Sequence, residues 1–214
     1  VLPGEISSLV KLVELDIRSN SISGIDAAQG LPLLEVFSAD RNNIAVFVAE
    51  LLPSLAQLSL SKNFLTSLAP SVAPKLTCLN LANSKIAALP DTFPSHLPSL
   101  ERLVLDGNYL TSLPDTFSAF AKLTFLSATN NHLTEIPKVI AELRCLEILD
   151  IHNNNVKTLP EELWFCEKLT DLNVSSNLLD GFPMPPPPPA PSLVNTSTAA
   201  PMQDQPNALK PELL

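Results

Sequence analysis

One spaced pattern, Leu-x-x-Leu-x-Leu-x-x-Asn-x-Leu, recurs eight times between Leu12 and Leu179 and limits what this chain can fold into. Its clearest copies are Leu100, Leu103, Leu105, Asn108, Leu110 and Leu169, Leu172, Val174, Asn177, Leu179. The other asparagine positions are Asn20, Asn42, Asn63, Asn131 and Asn154, with Ser84 in place of Asn once. The central Leu-x-Leu alternates as a strand does, apolar inward and variable outward. A single strand of this kind cannot bury its apolar face. Stacked on copies of itself it builds a parallel sheet over a continuous core, which is the architecture of a solenoid. The asparagine marks a buried turn, where an amide that both donates and accepts can satisfy backbone groups. Ser84 can do only part of that work, so a weaker turn is expected there, helped by Asn83.

The ladder positions fall at 20, 42, 63, 84, 108, 131, 154 and 177, so the early steps are short and the later ones settle at 23. The later repeats carry a second signature, Leu113-Pro114, Ile136-Pro137 and Leu159-Pro160. Apolar residues follow three and six positions after each proline: Phe117 and Phe120, Ile140 and Leu143, Leu163 and Cys166. Proline in a first helical turn and apolar residues on one face predict short helices or helical turns on the convex side. The shorter early repeats are expected to have less regular outer segments. The predicted fold is an α/β solenoid, a horseshoe with a parallel β-sheet on its concave face, over residues 1–183.

Val1-Leu2-Pro3 already matches the Leu-Pro element, and no polar cap is visible before it, so the segment reads as part of a longer protein. After Phe182-Pro183 the composition changes: ten of the 21 prolines lie in the last 34 residues, among Ser, Thr, Ala, Gln and Asn. Residues 184–214 are expected to be a disordered Pro/Ser/Thr-rich linker. A net charge of −9 argues against nucleic acid or an anionic membrane as the main partner. No apolar run reaches membrane-spanning length, so no direct membrane insertion is expected. Three scattered cysteines fit a reducing, intracellular setting. The glycosylation-like triplets at Asn173 and Asn195 are discounted, since such short matches arise by chance.

No catalytic residue, cofactor site or metal site is read from the sequence. The chain has five glycines and no phosphate loop, and neither His-Glu-x-x-His nor paired Cys-x-x-Cys occurs. His152 lies near Asp150, but solvated recognition residues are the better account of that pair than acid–base chemistry. Cys166 reads as core, and Cys78 as an outward thiol with no basic sequence neighbour to activate it. The outward strand positions say more. Val104, Phe125 and Ile148 form an apolar centre in adjacent repeats, flanked by Arg102, Asp106, Asp150 and His152. An apolar patch with a polar rim is the anatomy of a protein-binding site, and Phe125 and Arg102 are expected to carry most of its energy.

The 23-residue repeats with Leu/Ile-Pro outer segments resemble the intracellular class of leucine-rich repeats found in Ras-pathway scaffolds, and lack the Gly-x-Ile-Pro element of the plant receptor class. The run LDIHNNNVKTLPEELWFCEKLTDLNVSSNLLDGFP, residues 149–183, followed by the proline-rich break, is similar to the end of the repeat region of fungal adenylate cyclases. LEVFSADRNNI, residues 34–44, is similar to their irregular early repeats. That resemblance implies a large cytoplasmic enzyme, peripheral at the plasma membrane, in which repeats engage a GTP-bound Ras-type small GTPase. A phosphatase-like domain and a cyclase domain making cyclic AMP from ATP with magnesium would lie elsewhere in the parent chain. Two other readings stay open. One is a non-enzymatic scaffold joining a small GTPase to a phosphatase or kinase; the other is a plant-type intracellular repeat protein.

Overall fold

The computed structural model describes residues 1–46, 52–66, 73–185 and 187. In each repeat the first apolar residue of Leu-x-Leu and its two neighbours form a three-residue strand: β1 (Glu14–Asp16), β2 (Val36–Ser38), β3 (Gln57–Ser59), β4 (Cys78–Asn80), β5 (Arg102–Val104), β6 (Phe125–Ser127), β7 (Ile148–Asp150) and β8 (Asp171–Asn173). They stack in chain order as one eight-stranded parallel sheet without crossovers. The register is in phase throughout, so Leu15, Phe37, Leu58, Leu79, Leu103, Leu126, Leu149 and Leu172 form one inward row. That row is buried from Phe37 to Leu149 and half-buried at Leu15 and Leu172. Each inward leucine is covered by its neighbours on both sides, and the first and last strands have a neighbour on one side only.

The asparagine column forms as the pattern requires. Asn131 is typical: its Nδ2 donates to the carbonyls of Leu105 (3.0 Å), Ala128 (3.1 Å) and Thr129 (3.1 Å), and its Oδ1 accepts the Leu110 N–H (3.1 Å). One buried amide thus ties its own turn to the preceding repeat, offsetting the cost of burying four backbone groups. Asn42, Asn63, Asn108, Asn154 and Asn177 repeat the arrangement. At Ser84 it fails, since the buried hydroxyl has no hydrogen-bond partner. Asn83 does not replace the missing amide. It takes a left-handed conformation (φ 54°), and its own N–H donates to Asp106 O.

That left-handed residue recurs immediately before every ladder position, at Ser19, Arg41, Lys62, Asn83, Gly107, Asn130, Asn153 and Ser176. It reverses the chain out of the strand and aims the next side chain inward, the same device that ends helices at an αL residue.

The convex side is built from 3-10 segments: Gly4–Ser8, Asp26–Gly30, Pro94–His96, Asp115–Ala119, Lys138–Glu142 and Glu161–Phe165. Prolines 114, 137 and 160 stand one residue before these segments, in extended conformation, and not inside the first turn as the sequence suggested. Their carbonyls accept the first bond of the segment, from the N–H of Phe117, Ile140 and Leu163. Side chains three apart eclipse in 3-10 geometry, which explains the apolar pairs. Phe117, Phe120, Ile140 and Leu143 are fully buried, Leu163 is buried, and Cys166 is half-buried against the core. Phe117 meets Phe120 edge-on at 5.1 Å, and Phe120 meets Phe93 at 5.9 Å. The expected irregularity of the early outer segments does not hold for Asp26–Gly30, which is as long as the later ones. Residues 47–51 and 67–72 lie outside the described residues, as does nearly all of the linker expected at 184–214.

Candidate functional site

The outward side chains of the sheet fall into rows fixed by the register. Cys78, Arg102, Phe125 and Ile148 are consecutive in the first row, and Asn80, Val104, Ser127 and Asp150 in the second. Asp106 and His152 follow just past the ends of β5 and β7. The sheet therefore gathers all seven candidate residues onto one face across β5, β6 and β7. Val104, Phe125 and Ile148 are half-buried, because strands about 4.8 Å apart let each side chain shade the next. Arg102 adds to this cover. Its guanidinium carbon lies 3.5 Å from the centre of the Phe125 ring, a cation–π stack between register partners. Alternation alone could not reveal that pairing, since the two residues are one whole repeat apart in sequence.

The acidic rim divides into different roles. Asp106 Oδ1 accepts the Ser127 hydroxyl (2.5 Å) and the Thr129 N–H (2.9 Å), so this carboxylate braces the next repeat. Asp40 does the same with Ser59 (2.5 Å) and the Ser61 N–H (2.7 Å). Where the second-row residue is itself Asp or Asn, it caps its own turn: Asp16, Asn80, Asp150 and Asn173 accept the N–H two residues on. A sequence signal for this brace exists, namely Asp two residues past one strand followed one repeat later by Ser at the last position of the next strand. Asp150 also meets His152, Oδ1 to Nδ1 at 2.8 Å, with Asn173 Nδ2 at 3.3 Å from the same nitrogen. At the far end of the face Arg18 forks onto Asp16 (2.7 Å), which lowers the carboxyl pKa and raises that of the guanidinium.

Cys78 has a basic neighbour in space, Arg102 on the adjacent strand, which the linear sequence concealed. Burial nevertheless pushes its thiol above the usual range, and the pull of Arg102 only opposes that shift. Burial likewise raises Cys166. Among the described residues no group of three or more His, Cys, Asp or Glu is placed to hold a metal ion, and no helix is long and apolar enough to cross a membrane.

A second exposed strip escaped the sequence reading. The residue after each ladder position faces the flank of the solenoid, and in four consecutive repeats it is Phe64, Lys85, Tyr109 and His132. Lys85 Nζ lies 5.0 Å over Phe64, and Tyr109 stacks on His132 at 6.0 Å. Each of the four backbone N–H groups donates to the preceding repeat, which fixes the spacing of the strip.

Comparison with known proteins agrees with this geometry. Residues 74–133 and 129–179 match the leucine rich repeat family. A leucine-rich-repeat protein of Leptospira interrogans superposes with a TM-score of 0.77 at 30% identity, over 83% of this chain and 46% of that one. Internalin C2 of Listeria monocytogenes superposes at 0.71 with 21% identity, over 79% of this chain and 74% of that one, a likeness of fold alone. A stretch of 42 residues, 20% of this chain, is 55% identical to an adenylate cyclase of Neurospora crassa and spans 2% of its length. Residues 74–179 thus belong to the leucine-rich-repeat family, and the eight-stranded sheet as a whole has the fold of a leucine-rich-repeat solenoid.

Proposed function

We propose that this chain is a protein-binding regulatory module from a fungal adenylate cyclase, and that its concave face docks a Ras-type small GTPase. The repeat fold supports protein binding in general, because a stacked parallel sheet presents a broad, rigid and variable face while its invariant positions only hold the scaffold. The observation that carries the narrower reading is the 55% identity to the Neurospora crassa cyclase over 42 residues. In this reading the synthesis of cyclic AMP from ATP with magnesium belongs to a catalytic domain outside these residues. The repeats would act on it from the cytoplasmic side of the plasma membrane. Arg102, Val104, Asp106, Phe125, Ile148, Asp150 and His152 supply the docking surface, with Asp106 contributing through the carboxylate oxygen that does not brace Ser127.

The test is capture of a purified Ras-type GTPase, loaded with a non-hydrolysable GTP analogue or with GDP, on the immobilised module. Binding selective for the GTP form is expected. Equal retention of both forms, or of neither, overturns the assignment.

A further inference from the structure

We propose that Arg102, stacked on Phe125, is an anchor that receives a single carboxylate from a partner protein, while an apolar side chain of the same partner segment rests on Val104 and Ile148. The proposal rests on the concave face being the binding face; it does not depend on which protein binds there.

The geometry prepares the guanidinium for this task. A stack at 3.5 Å occupies one flat face of the group and fixes its plane, leaving the in-plane N–H donors at its edge. Among the described residues no ion pair and no side-chain hydrogen bond engages those donors. That is unexpected on a chain with 22 acidic and 13 basic side chains, where a surface arginine has a surplus of carboxylates to choose from. The local layout accounts for it. In the first row Arg102 lies between Cys78 and Phe125, neither of which carries a carboxylate. Asp106, further along the same segment, braces Ser127 and Thr129 through Oδ1 and forms no ion pair with Arg102. Glu101, adjacent in sequence, forms no ion pair with it.

The chemistry of the occupant follows. A planar fork with its plane held in advance matches a carboxylate bidentately, and immobilising it in the free protein removes part of the ordering cost of binding. Phosphate groups are usually held by clusters of cations. Here the adjacent positions of the sheet, Asn80, Val104 and Ser127 among them, offer no second Lys or Arg, so one unit of charge is received. The half-buried Val104, two residues on in β5, and Ile148, beyond Phe125 in the first row, give a partner's aliphatic or aromatic residue a place to exclude water around the pair.

The test is panning of random peptides displayed on phage against the folded module, followed by solution affinities of the recovered peptides for the native module, Arg102→Gln and Ile148→Asp. Peptides dependent on Arg102 are expected to carry Asp or Glu next to an apolar residue. Replacing that acid by its amide should weaken binding to the native module about tenfold or more and leave binding to Arg102→Gln unchanged, the mark of a direct pair in a double-mutant cycle. Arg102→Lys should not restore the affinity, because a point charge lacks the fork. Circular dichroism of each variant establishes that the fold is retained. Peptides that depend on Ile148 but not on Arg102 would overturn the anchor and leave the concave face standing. Failure of Ile148→Asp and Arg102→Gln alike to change any recovered peptide would overturn both.

Discussion

At the residue before each ladder position the backbone is left-handed, and the side chains found there differ in how well they tolerate it. Gly107, Asn83, Asn130 and Asn153 suit this conformation; Arg41 and Lys62, at φ 55°, do not. Lys62→Gly is therefore expected to stabilise the chain by about 0.5–1 kcal/mol, read as a shift of the urea midpoint. Gly107→Ala should do the reverse, by about 2 kcal/mol. Its φ of +64° is unfavourable to a side chain, and a Cβ there would meet Asn83 Oδ1 at 2.6 Å. Cys78 offers a titration at the same scale. Burial raises its thiol pKa and Arg102 opposes the rise, so the thiolate is scarce near neutral pH and increases only above the usual thiol range. Alkylation of Cys78 at pH 8 should be slow, and slower still in Arg102→Ala, which removes the opposing charge. Faster alkylation in that variant would mean that the guanidinium does not act on this sulfur.

At the scale of the element, a complete repeat such as the one around Asn131 joins a strand, a buried amide turn and an outer 3-10 segment, and these differ in what holds them. The strands are too short to persist alone and depend on their neighbours. The amide turn is held by four hydrogen bonds from one side chain, so Asn131→Ala leaves several backbone groups buried and unpaired. A loss of about 3 kcal/mol or more is expected from equilibrium unfolding. The outer segment is held by apolar contact. Phe117→Ala removes the ring that packs edge-on against Phe120, and about 3–5 kcal/mol should go with it. Much of the element was legible in advance. The spacing of Leu113-Pro114, Phe117 and Phe120 marked an outer segment with one apolar face. Its 3-10 geometry was not legible, because a three-residue spacing fits a single α turn equally well. The place of Pro114 before the segment was hidden for the same reason, as φ near −65° suits both positions.

Across the whole molecule stability is distributed as in a one-dimensional stack, where each repeat contacts only those on either side. Leu126 in the middle of the inward row is fully buried, whereas Leu172 on β8 is partly open. In the 214-residue polypeptide, Leu126→Ala should cost about 3–4 kcal/mol and Leu172→Ala about 1, with amide exchange slowest across β5 to β7. Equal effects at the two positions would contradict the stacked description.

The sequence by itself determined the scaffold. A repeat of fixed spacing can satisfy its leucines and its asparagines in one way only, by stacking, so the eight strands, their register and the amide column follow from local pattern. It also placed Val104, Phe125 and Ile148 on a common face, since alternation sets which side chains point outward. What only the tertiary structure decided are relations between repeats about 20 residues apart in the chain: the stack of Arg102 on Phe125, the brace from Asp106 to Ser127, the nearness of Arg102 to Cys78, and the flank strip from Phe64 to His132. The periodic positions are constrained by their own backbone, and so they can be read from one repeat. The variable positions acquire chemistry only from the neighbour that stacking brings alongside, and no single repeat contains that information.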